Sequence, residues 1–160
     1  MSIVVNQEAT CVCEKVRIRI KGPLFFSTYC HCMACTRMNN CSPVSLLGVG
    51  IPPEKVEFLK GSSSDITVRK GYSKMIQAAC KHCFTGLYQQ PAGASFVATY
   101  PATFHGGNAD RKPNLLSKEL WPQKHVNYES RKVDCTDSLP KYFGFTKTLV
   151  NNDGSIVTPE

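Results

Sequence analysis

Residues 10–23, TCVCEKVRIRIKGP, join a pair of cysteines to a run in which apolar and basic residues alternate. Val16, Ile18 and Ile20 fall at every second position, and basic side chains occupy the positions on either side of them. This period of two predicts a β-strand with one buried face, and Gly22-Pro23 is a typical signal for its end. The chain therefore begins with strand structure beside a candidate metal-binding motif.

Short strand patterns separated by turn residues continue along the rest of the chain. Further candidate strands lie at residues 44–49, 56–59, 66–69, 74–79, 86–89, 95–100 and 125–130. Helical periodicity is confined to residues 32–40 and 115–121, and residues 106–113 have the composition of a polar loop. The sequence therefore predicts an all-β fold with short helical insertions.

The length and charge of the chain limit its class. A chain of 160 residues with 42% apolar and 19% charged residues is typical of one globular domain, here residues 1–160. The net charge of +7, from 19 basic and 12 acidic residues, favours anionic partners. No block of like charges and no interleaved aromatic residues accompany it, so a nucleic-acid partner is not favoured. A homodimer is compatible with the sequence.

Nine cysteines are the unusual feature of the composition. Residues 1–8 lack the basic and apolar regions of a signal peptide, no stretch has the length of a membrane span, and neither end carries a lipidation motif. We therefore expect a cytoplasmic or nuclear protein that has no membrane partner. In such reducing compartments clustered thiols bind metal more often than they form disulfides.

Seven of the nine cysteines fall in three clusters with metal-ligand spacing, CxC, CxCxxC and CxxC. The clusters are Cys11-Val12-Cys13, Cys30-His31-Cys32 with Cys35, and Cys80 with Cys83. Short spacings let one turn supply several thiolates to a tetrahedral zinc ion. On a regular strand the CxC would send its sulfurs to opposite faces, so the backbone must bend there if both bind one ion.

Seven thiolates are too many for one tetrahedral ion and divide into four and three. The two distant two-cysteine clusters would form a closed structural site, whereas the three-cysteine cluster leaves one position open, as in catalytic zinc sites. Cys41, His31 or another histidine is the alternative occupant of that position. Without a cluster, Cys41 and Cys135 are expected to be small buried apolar residues.

The histidines are assigned structural or supporting roles. His31 lies between two candidate ligands and is expected to point away from their metal, toward a supporting contact or the substrate. His82 is expected to be an exposed residue of the CxxC turn. His105 and His125 show no partner in the sequence and are expected to be satisfied surface or core histidines.

Over residues 10–143 the sequence resembles the glutathione-dependent formaldehyde-activating enzymes. The resemblance rests on short motifs that occur in the family's order and spacing. They are Cys11-Val12-Cys13, Gly22-Pro23, Tyr29-Cys30-His31-Cys32, Cys35-Thr36-Arg37, Cys80 to Cys83, His125-Val126 and Leu139-Pro140-Lys141-Tyr142.

The resemblance implies a fold of several sheets, often called a β-tent, with two zinc ions per chain. It implies a structural zinc on one set of ligands, Cys11, Cys13, Cys80 and Cys83. It implies a second zinc, where a thiol such as glutathione binds, on Cys30, Cys32 and Cys35. This division agrees with the one drawn from the spacing alone.

Several positions depart from the family pattern. Thr10 and Glu14 replace the glycines that flank the CxC, Phe84 replaces the glycine after the CxxC, and Asn40 stands where glycine is frequent. Asparagine tolerates a left-handed backbone, whereas the other residues make the turns near the structural site less permissive. None of these changes removes a metal ligand.

The expected chemistry is activation of a thiol for carbon–sulfur bond formation or cleavage. Zinc on three thiolates carries a formal charge of −1 and keeps a further thiol deprotonated at neutral pH. The substrate expected here is a small anionic thiol, glutathione, reacting with formaldehyde or a similar electrophile, and Arg37 would face its carboxylate. The alternative is a zinc-stabilised interaction module without catalysis, which binds a protein or nucleic acid through its basic surface.

Overall fold

A computed structural model describes residues 2–104, 115–145 and 147–159. These residues form eleven β-strands, one α-helix and six short 3-10 helices. The strands are β1 Val4–Thr10, β2 Arg17–Cys30, β3 Val44–Val49, β4 Glu57–Lys60, β5 Ile66–Lys70, β6 Met75–Cys80, β7 Gly86–Pro91, β8 Val97–Thr99, β9 His125–Val126, β10 Lys141–Tyr142 and β11 Leu149–Val150. The helix α1 is Met33–Asn39. The predicted class, all-β with short helical insertions, is confirmed.

The long strand β2 connects two sheets. Its first half lies between β1 and β4 in antiparallel pairing, and its second half pairs with β3 and β9. The larger path of strands runs β11-β10-β9-β2-β3-β8-β7-β6-β5. Because β2 ends at Cys30, it delivers the CxCxxC segment to the junction of β3 and β9.

The prediction that the first strand ends at Gly22-Pro23 is wrong. β2 continues through both residues, and this point instead marks where the strand changes partners. Pro23 is the last residue of β2 opposite β1, and the pairing with β3 starts at Leu24. A Cβ on Gly22 would lie 3.1 Å from the carbonyl oxygen of Gly50, so this glycine permits a close backbone approach rather than a turn.

The alternating apolar residues at the start of β2, with Val16 directly before the strand, form the centre of the main core. Val16, Ile18 and Ile20 are fully buried, as their spacing predicts, and pack in one cluster with residues such as Leu47 and Leu87. A smaller apolar cluster surrounds the end of β2. It contains Cys30, Cys35, Val44, Leu46, Ala98, Tyr100 and Val126.

The structure refines several of the sequence-based elements. The strand predicted at residues 125–130 is only the two-residue β9, followed by a 3-10 helix at Tyr128–Ser130. The helix predicted at residues 115–121 is a single 3-10 turn, Lys118–Leu120. β1, β10 and β11 were not predicted, and the polar loop predicted at residues 106–113 lies outside the described residues. Across residues 2–104, 115–145 and 147–159, no helix combines the length and the apolar character that crossing a membrane requires.

Candidate metal centres

The four cysteines of the two distant pairs meet in one cluster. Cys11 and Cys13 lie in the turn after β1, Cys80 is the last residue of β6, and Cys83 lies in the turn before β7. The Sγ atoms of Cys11 and Cys13 are 3.5 Å apart, those of Cys13 and Cys80 are 3.8 Å apart, and all four lie within 4.8 Å of one another. A tetrahedron of zinc–thiolate bonds of about 2.3 Å has edges of about 3.8 Å. These four residues therefore fit a closed zinc site.

The backbone bends at the CxC as the chemistry of one shared ion requires. The chain leaves β1 after Thr10, and the Cys11 N–H then donates to the Val16 carbonyl at 3.1 Å. The Glu14 N–H donates back to the Cys11 carbonyl at 2.9 Å, and Glu14 has a φ of 61°. The predicted kink is confirmed.

The CxxC turn closes in a similar way. The Phe84 N–H donates to the Cys80 carbonyl at 2.8 Å, and Phe84 adopts a φ of 62°. Left-handed backbone costs an ordinary residue about 1–2 kcal/mol. Glu14 and Phe84 therefore hold strained conformations on the two sides of the four-cysteine cluster.

The CxCxxC segment forms the second cluster. Cys30 ends β2, Cys32 is the N-cap residue of α1, and Cys35 lies in the first turn of that helix. The Sγ atoms of all three lie within 4.8 Å of one another. This geometry fits three ligands of one tetrahedral ion.

Each sulfur of the second cluster accepts at least one N–H hydrogen bond. The Asn127 amide donates to Cys30 at 3.4 Å, the Cys35 backbone N–H donates to Cys32 at 3.3 Å, and the Gln89 amide donates to Cys35 at 3.1 Å. Hydrogen bonds to the charged form of a group favour that form. The surroundings of the cluster therefore favour thiolates.

The acidities of the three thiols are strongly interdependent. Hydrogen bonds from its two neighbours lower the pKa of Cys32 to about 3. The hydrogen bond between Cys30 and Cys32 raises the pKa of Cys30 to about 11. The hydrogen bonds of Cys35 with Cys30 and Cys32 raise the pKa of Cys35. Ionisation of one thiol thus disfavours ionisation of the other two, and the charge of a divalent cation would favour the thiolate form of all three.

A small network fixes the orientation of Gln89. Its Oε1 accepts hydrogen bonds from the Tyr100 hydroxyl at 2.6 Å and from the Asn39 amide at 3.0 Å. The Gln77 amide donates in turn to Tyr100 at 2.7 Å. With its oxygen occupied by two donors, Gln89 presents its amide nitrogen to Cys35. The sequence analysis did not identify Gln89 or Asn127, because isolated amides carry no spacing signal.

No fourth protein ligand joins this cluster among the described residues. Cys41 is exposed and lies outside both cysteine clusters, so the expectation that it is a buried apolar residue is wrong. The ring of His31 is turned toward His125 instead of the three sulfurs. His105 lies outside the described residues.

An apolar cavity of about 130 Å³ lies beside the three cysteines. Its walls include all three of them together with apolar side chains from four different strands. Phe26, Leu46, Met75 and Ala98 are among these side chains. The cluster therefore borders a space in which a substrate can lie out of water.

His31 belongs to a buried chain of hydrogen bonds that runs away from the sulfurs. Its Nε2 is 2.8 Å from Nδ1 of His125, whose Nε2 is 2.9 Å from a carboxylate oxygen of Asp137. A carboxylate only accepts, so the Nε2 of His125 carries a hydrogen, its Nδ1 accepts, and the Nε2 of His31 donates. The Lys141 ammonium, also buried, donates to Asp137 at 3.1 Å.

Burial determines the charge state of both rings. It lowers the pKa of His31 to about 4 and also lowers the pKa of His125. The rings therefore stay neutral near pH 7, which agrees with the hydrogen-bond directions assigned above. The expectation of a satisfied core histidine is met by His125, and His31 has the supporting contact rather than a place in the cavity wall.

A third group of potential ligands consists of His31, His125 and Cys135. Two nitrogens bound to one tetrahedral zinc at about 2.0–2.1 Å lie about 3.3 Å apart. The 2.8 Å between His31 and His125 is shorter and is typical of a hydrogen bond. This group is therefore better described as part of the hydrogen-bonded core.

The family model of the glutathione-dependent formaldehyde-activating enzyme matches residues 6–130. The chain belongs to this family. No curated protein matches the sequence. Among solved structures, a crystal structure of a Rhodobacter sphaeroides protein aligns with 18% identity and a TM-score of 0.47, covering 64% of this chain and 91% of that one.

Three of the residues that depart from the family pattern have a left-handed backbone conformation in the structure. Glu14, Asn40 and Phe84 all adopt positive φ, at 61°, 50° and 62° respectively. These are three of the positions at which the resemblance implies a glycine in the family pattern. The chain therefore adopts left-handed backbone at these positions without the residue that adopts it most easily.

Neither Arg37 nor His82 lines the cavity beside the three cysteines. Arg37 does not line the apolar cavity, and instead lies with Arg69 and Lys70 in an outer groove of about 310 Å³. His82 is exposed, as expected, and its Nε2 lies 2.8 Å from a carboxylate oxygen of Asp65. A role of Arg37 toward a carboxylate stays a prediction.

Proposed function

We propose that the protein is a zinc-dependent enzyme that activates a small thiol, glutathione, for addition to or release from a carbon electrophile such as formaldehyde. The observation that carries this proposal is the three-cysteine cluster with no fourth protein ligand among the described residues, placed beside an apolar cavity. Family membership supports the same chemistry.

In this proposal each chain holds two zinc ions with different tasks. The four-cysteine cluster is closed and stabilises the fold, whereas Cys30, Cys32 and Cys35 hold the second ion and leave one position for substrate. Zinc supplies the positive charge that keeps a substrate thiol deprotonated near neutral pH.

The surrounding residues prepare the cluster for that task. Gln89 and Asn127 donate N–H groups to Cys35 and Cys30 and so disperse part of the excess negative charge of three thiolates. His31 acts as a positioning residue, because its bond to His125 ties the segment between Cys30 and Cys32 to β9.

The anionic body of the thiol is assigned to the outer face of α1. Arg37 follows Cys35 by two positions on the helix and shares the outer groove with Arg69 and Lys70. Three basic side chains along one groove suit the carboxylates of glutathione. The thiol would thus reach from this groove around α1 to the sulfur cluster.

The reaction needs no further reactant. The thiol loses its proton on binding, the sulfur lone pair forms a bond to the carbonyl carbon, and the carbonyl π pair moves to oxygen. The oxygen then takes up one proton, so that thiol plus aldehyde gives a hydroxyalkyl thioether, and the reverse sequence releases the aldehyde.

Exchange NMR on mixtures of glutathione and formaldehyde tests the proposal. Wild-type protein should increase the rate at which free glutathione and its hydroxymethyl adduct interconvert. Cys35→Ser should abolish the increase, whereas Cys41→Ser, which changes an exposed cysteine outside both clusters, should leave it unchanged. If the wild-type, zinc-loaded protein gives no increase, the interaction-module interpretation replaces the enzyme.

A further inference from the structure

The cavity beside the three-cysteine cluster offers a substrate almost no hydrogen-bonding groups. Its wall is formed by hydrocarbon and sulfur atoms, with the edge-to-face pair Phe26 and Phe96 at a ring separation of 5.8 Å. Thr28, Gln89 and Gln90 also border the space. The Oγ1 of Thr28 and the Oε1 of Gln90 are buried and have no hydrogen-bond partner, whereas the Gln89 amide is engaged by Cys35, Tyr100 and Asn39. The surface that faces the cavity is nevertheless almost entirely apolar, so it favours an apolar occupant.

Because the cavity is apolar, the glutathione part of a thiol adduct and the carbon group bonded to its sulfur must lie in different places. Glutathione carries two carboxylates, an ammonium group and two amides, and moving such groups into an unpartnered apolar space is strongly unfavourable. The polar body of the thiol must therefore stay outside, and the part of the adduct inside is the carbon group that joins the sulfur.

The volume of the cavity sets the size of that group. An apolar protein cavity of about 150 Å³ holds one benzene molecule, which has six heavy atoms. By the same ratio a cavity of about 130 Å³ holds about five heavy atoms. The single carbon of formaldehyde would leave most of this space unfilled.

The mouth of the cavity is marked by Phe145. This side chain contributes to the cavity wall although it is 74% exposed. An exposed aromatic ring at the entrance favours entry of a hydrocarbon group over a charged one. Its place at the rim also lets it cover a bound chain.

We propose that the electrophile of this protein is an apolar aldehyde of about five carbon atoms, whose hydrocarbon chain lies in the cavity. This inference rests on the proposed thiol activation and narrows its substrate class. The thiolate sulfur bonds to the carbonyl carbon, the carbonyl π pair moves to oxygen, and oxygen takes up the proton that balances the one lost by the thiol. The product is a hemithioacetal with an apolar chain.

Binding of unreactive chain mimics tests the cavity without any thiol chemistry. The zinc-loaded protein is titrated with primary alcohols from ethanol to heptanol, and the methyl resonances of Leu46, Met75 and Ala98 are followed by NMR. Affinity should rise about fourfold for each added methylene until about five carbon atoms are bound, and then stop rising. Affinity independent of chain length, or shifts that avoid these methyl groups, would overturn the inference.

Two variants that change the cavity in opposite directions provide the matched control. Ala98→Val fills part of the space and should move the length limit to a shorter chain. Phe96→Leu enlarges the space and should move it to a longer one. General damage to the fold would weaken the binding of alcohols of every length alike. If the chain length at which affinity stops rising is the same in both variants as in wild type, the inference is wrong.

Kinetics separate this inference from the proposed function. Pentanal should be added to glutathione more efficiently than formaldehyde by the wild-type protein. Equal acceleration of both aldehydes would refute the apolar substrate and leave thiol activation standing. Acceleration of neither aldehyde would refute thiol activation itself, and the aldehyde assignment would fall with it even if the alcohols show the length limit.

Discussion

His31 and His125 form a buried pair in which Nε2 of the first ring lies 2.8 Å from Nδ1 of the second. In the sequence His31 lies between Cys30 and Cys32, and His125 is the first residue of β9. The pair therefore connects the CxCxxC segment to the part of the chain that carries Asp137 and Lys141.

The neutral state of His125 predicts a pH dependence of stability. Its pKa is lowered by burial and by the Lys141 charge, with the Asp137 hydrogen bond and charge acting in the opposite direction. The unfolded chain then binds the proton more tightly, so the stabilisation is complete above about pH 6.5 and is lost as the pH falls toward the folded pKa. The unfolding free energy of wild type relative to His125→Gln should decrease between pH 7 and pH 5.

Two measurements check this expectation. Chemical or thermal unfolding at each pH gives the difference between wild type and variant, in which contributions shared by both proteins cancel. An NMR titration of the His125 ring in the folded protein should show a midpoint below 6.5. A midpoint above that value, or a difference that does not change with pH, would show that folding does not lower the pKa of His125.

The left-handed residues beside the four-cysteine cluster predict stabilising substitutions. Phe84→Gly and Glu14→Gly should each raise the unfolding free energy by about 0.5–1 kcal/mol, because relief of a left-handed penalty of about 1–2 kcal/mol exceeds the entropic cost of glycine. For a chain of this size, 1 kcal/mol corresponds to about 2–4 °C in Tm.

Val12→Gly is the matched control for these substitutions. Val12 is exposed in the same turn, and its φ is not positive. Its replacement should lower stability or leave it unchanged. Equal gains at all three positions would show that the effect does not come from backbone strain.

The sequence predicted the grouping of the cysteines well because cysteine spacing is a local signal. The four-plus-three division depends on a few short motifs, and the structure brings each set within bonding distance of one ion. The kink at Cys11 and Cys13 was also predictable, since it follows from strand geometry.

Contacts made by the tertiary fold were not predictable in the same way. The continuation of β2 through Gly22-Pro23 depends on a change of partner strand, which is visible only when β1 and β3 are in place. Gln89 reaches Cys35 from a position 54 residues away in the sequence. Such relationships leave no periodic pattern in one sequence.

Gln89→Glu tests whether the amide at Cys35 supports metal binding. The carboxylate would face the Cys35 sulfur in place of an N–H donor, so two negative groups would meet in a buried site. We expect zinc affinity at the three-cysteine cluster to fall by about 10–100-fold while the four-cysteine cluster keeps its ion. Native mass spectrometry, at a chelator-buffered free zinc concentration just sufficient to fill both sites of wild type, should find two zinc ions in wild type and one in the variant.

Gln123→Glu is the control for the charge change, because the Gln123 side chain binds the Trp121 carbonyl at an exposed position. It should retain two zinc ions. Retention of both ions by Gln89→Glu under the same conditions would show that the amide is dispensable. A single ion in wild type after zinc supplementation would contradict the four-plus-three division.

The two clusters should differ in their effect on folding. The bond between Cys13 and Cys80 through one ion closes a loop of about 70 residues, whereas the other cluster closes one local turn. Cys80→Ser should therefore unfold or aggregate the chain, and Cys32→Ser should stay folded and lose only its local ion. Circular dichroism melts and zinc analysis of both variants check this expectation. If Cys32→Ser is the less stable variant, the structural role belongs to the three-cysteine cluster instead.

Proton release on glutathione binding tests the central claim most directly. At pH 7 the free thiol is almost fully protonated, since its ordinary pKa is about 8.5. Calorimetry of the zinc-loaded protein in buffers with different ionisation enthalpies should report about one proton released per glutathione bound, and none with S-methylglutathione, which has no thiol proton. Binding of glutathione without proton release, or no binding at millimolar concentration, would contradict thiol activation at the open cluster.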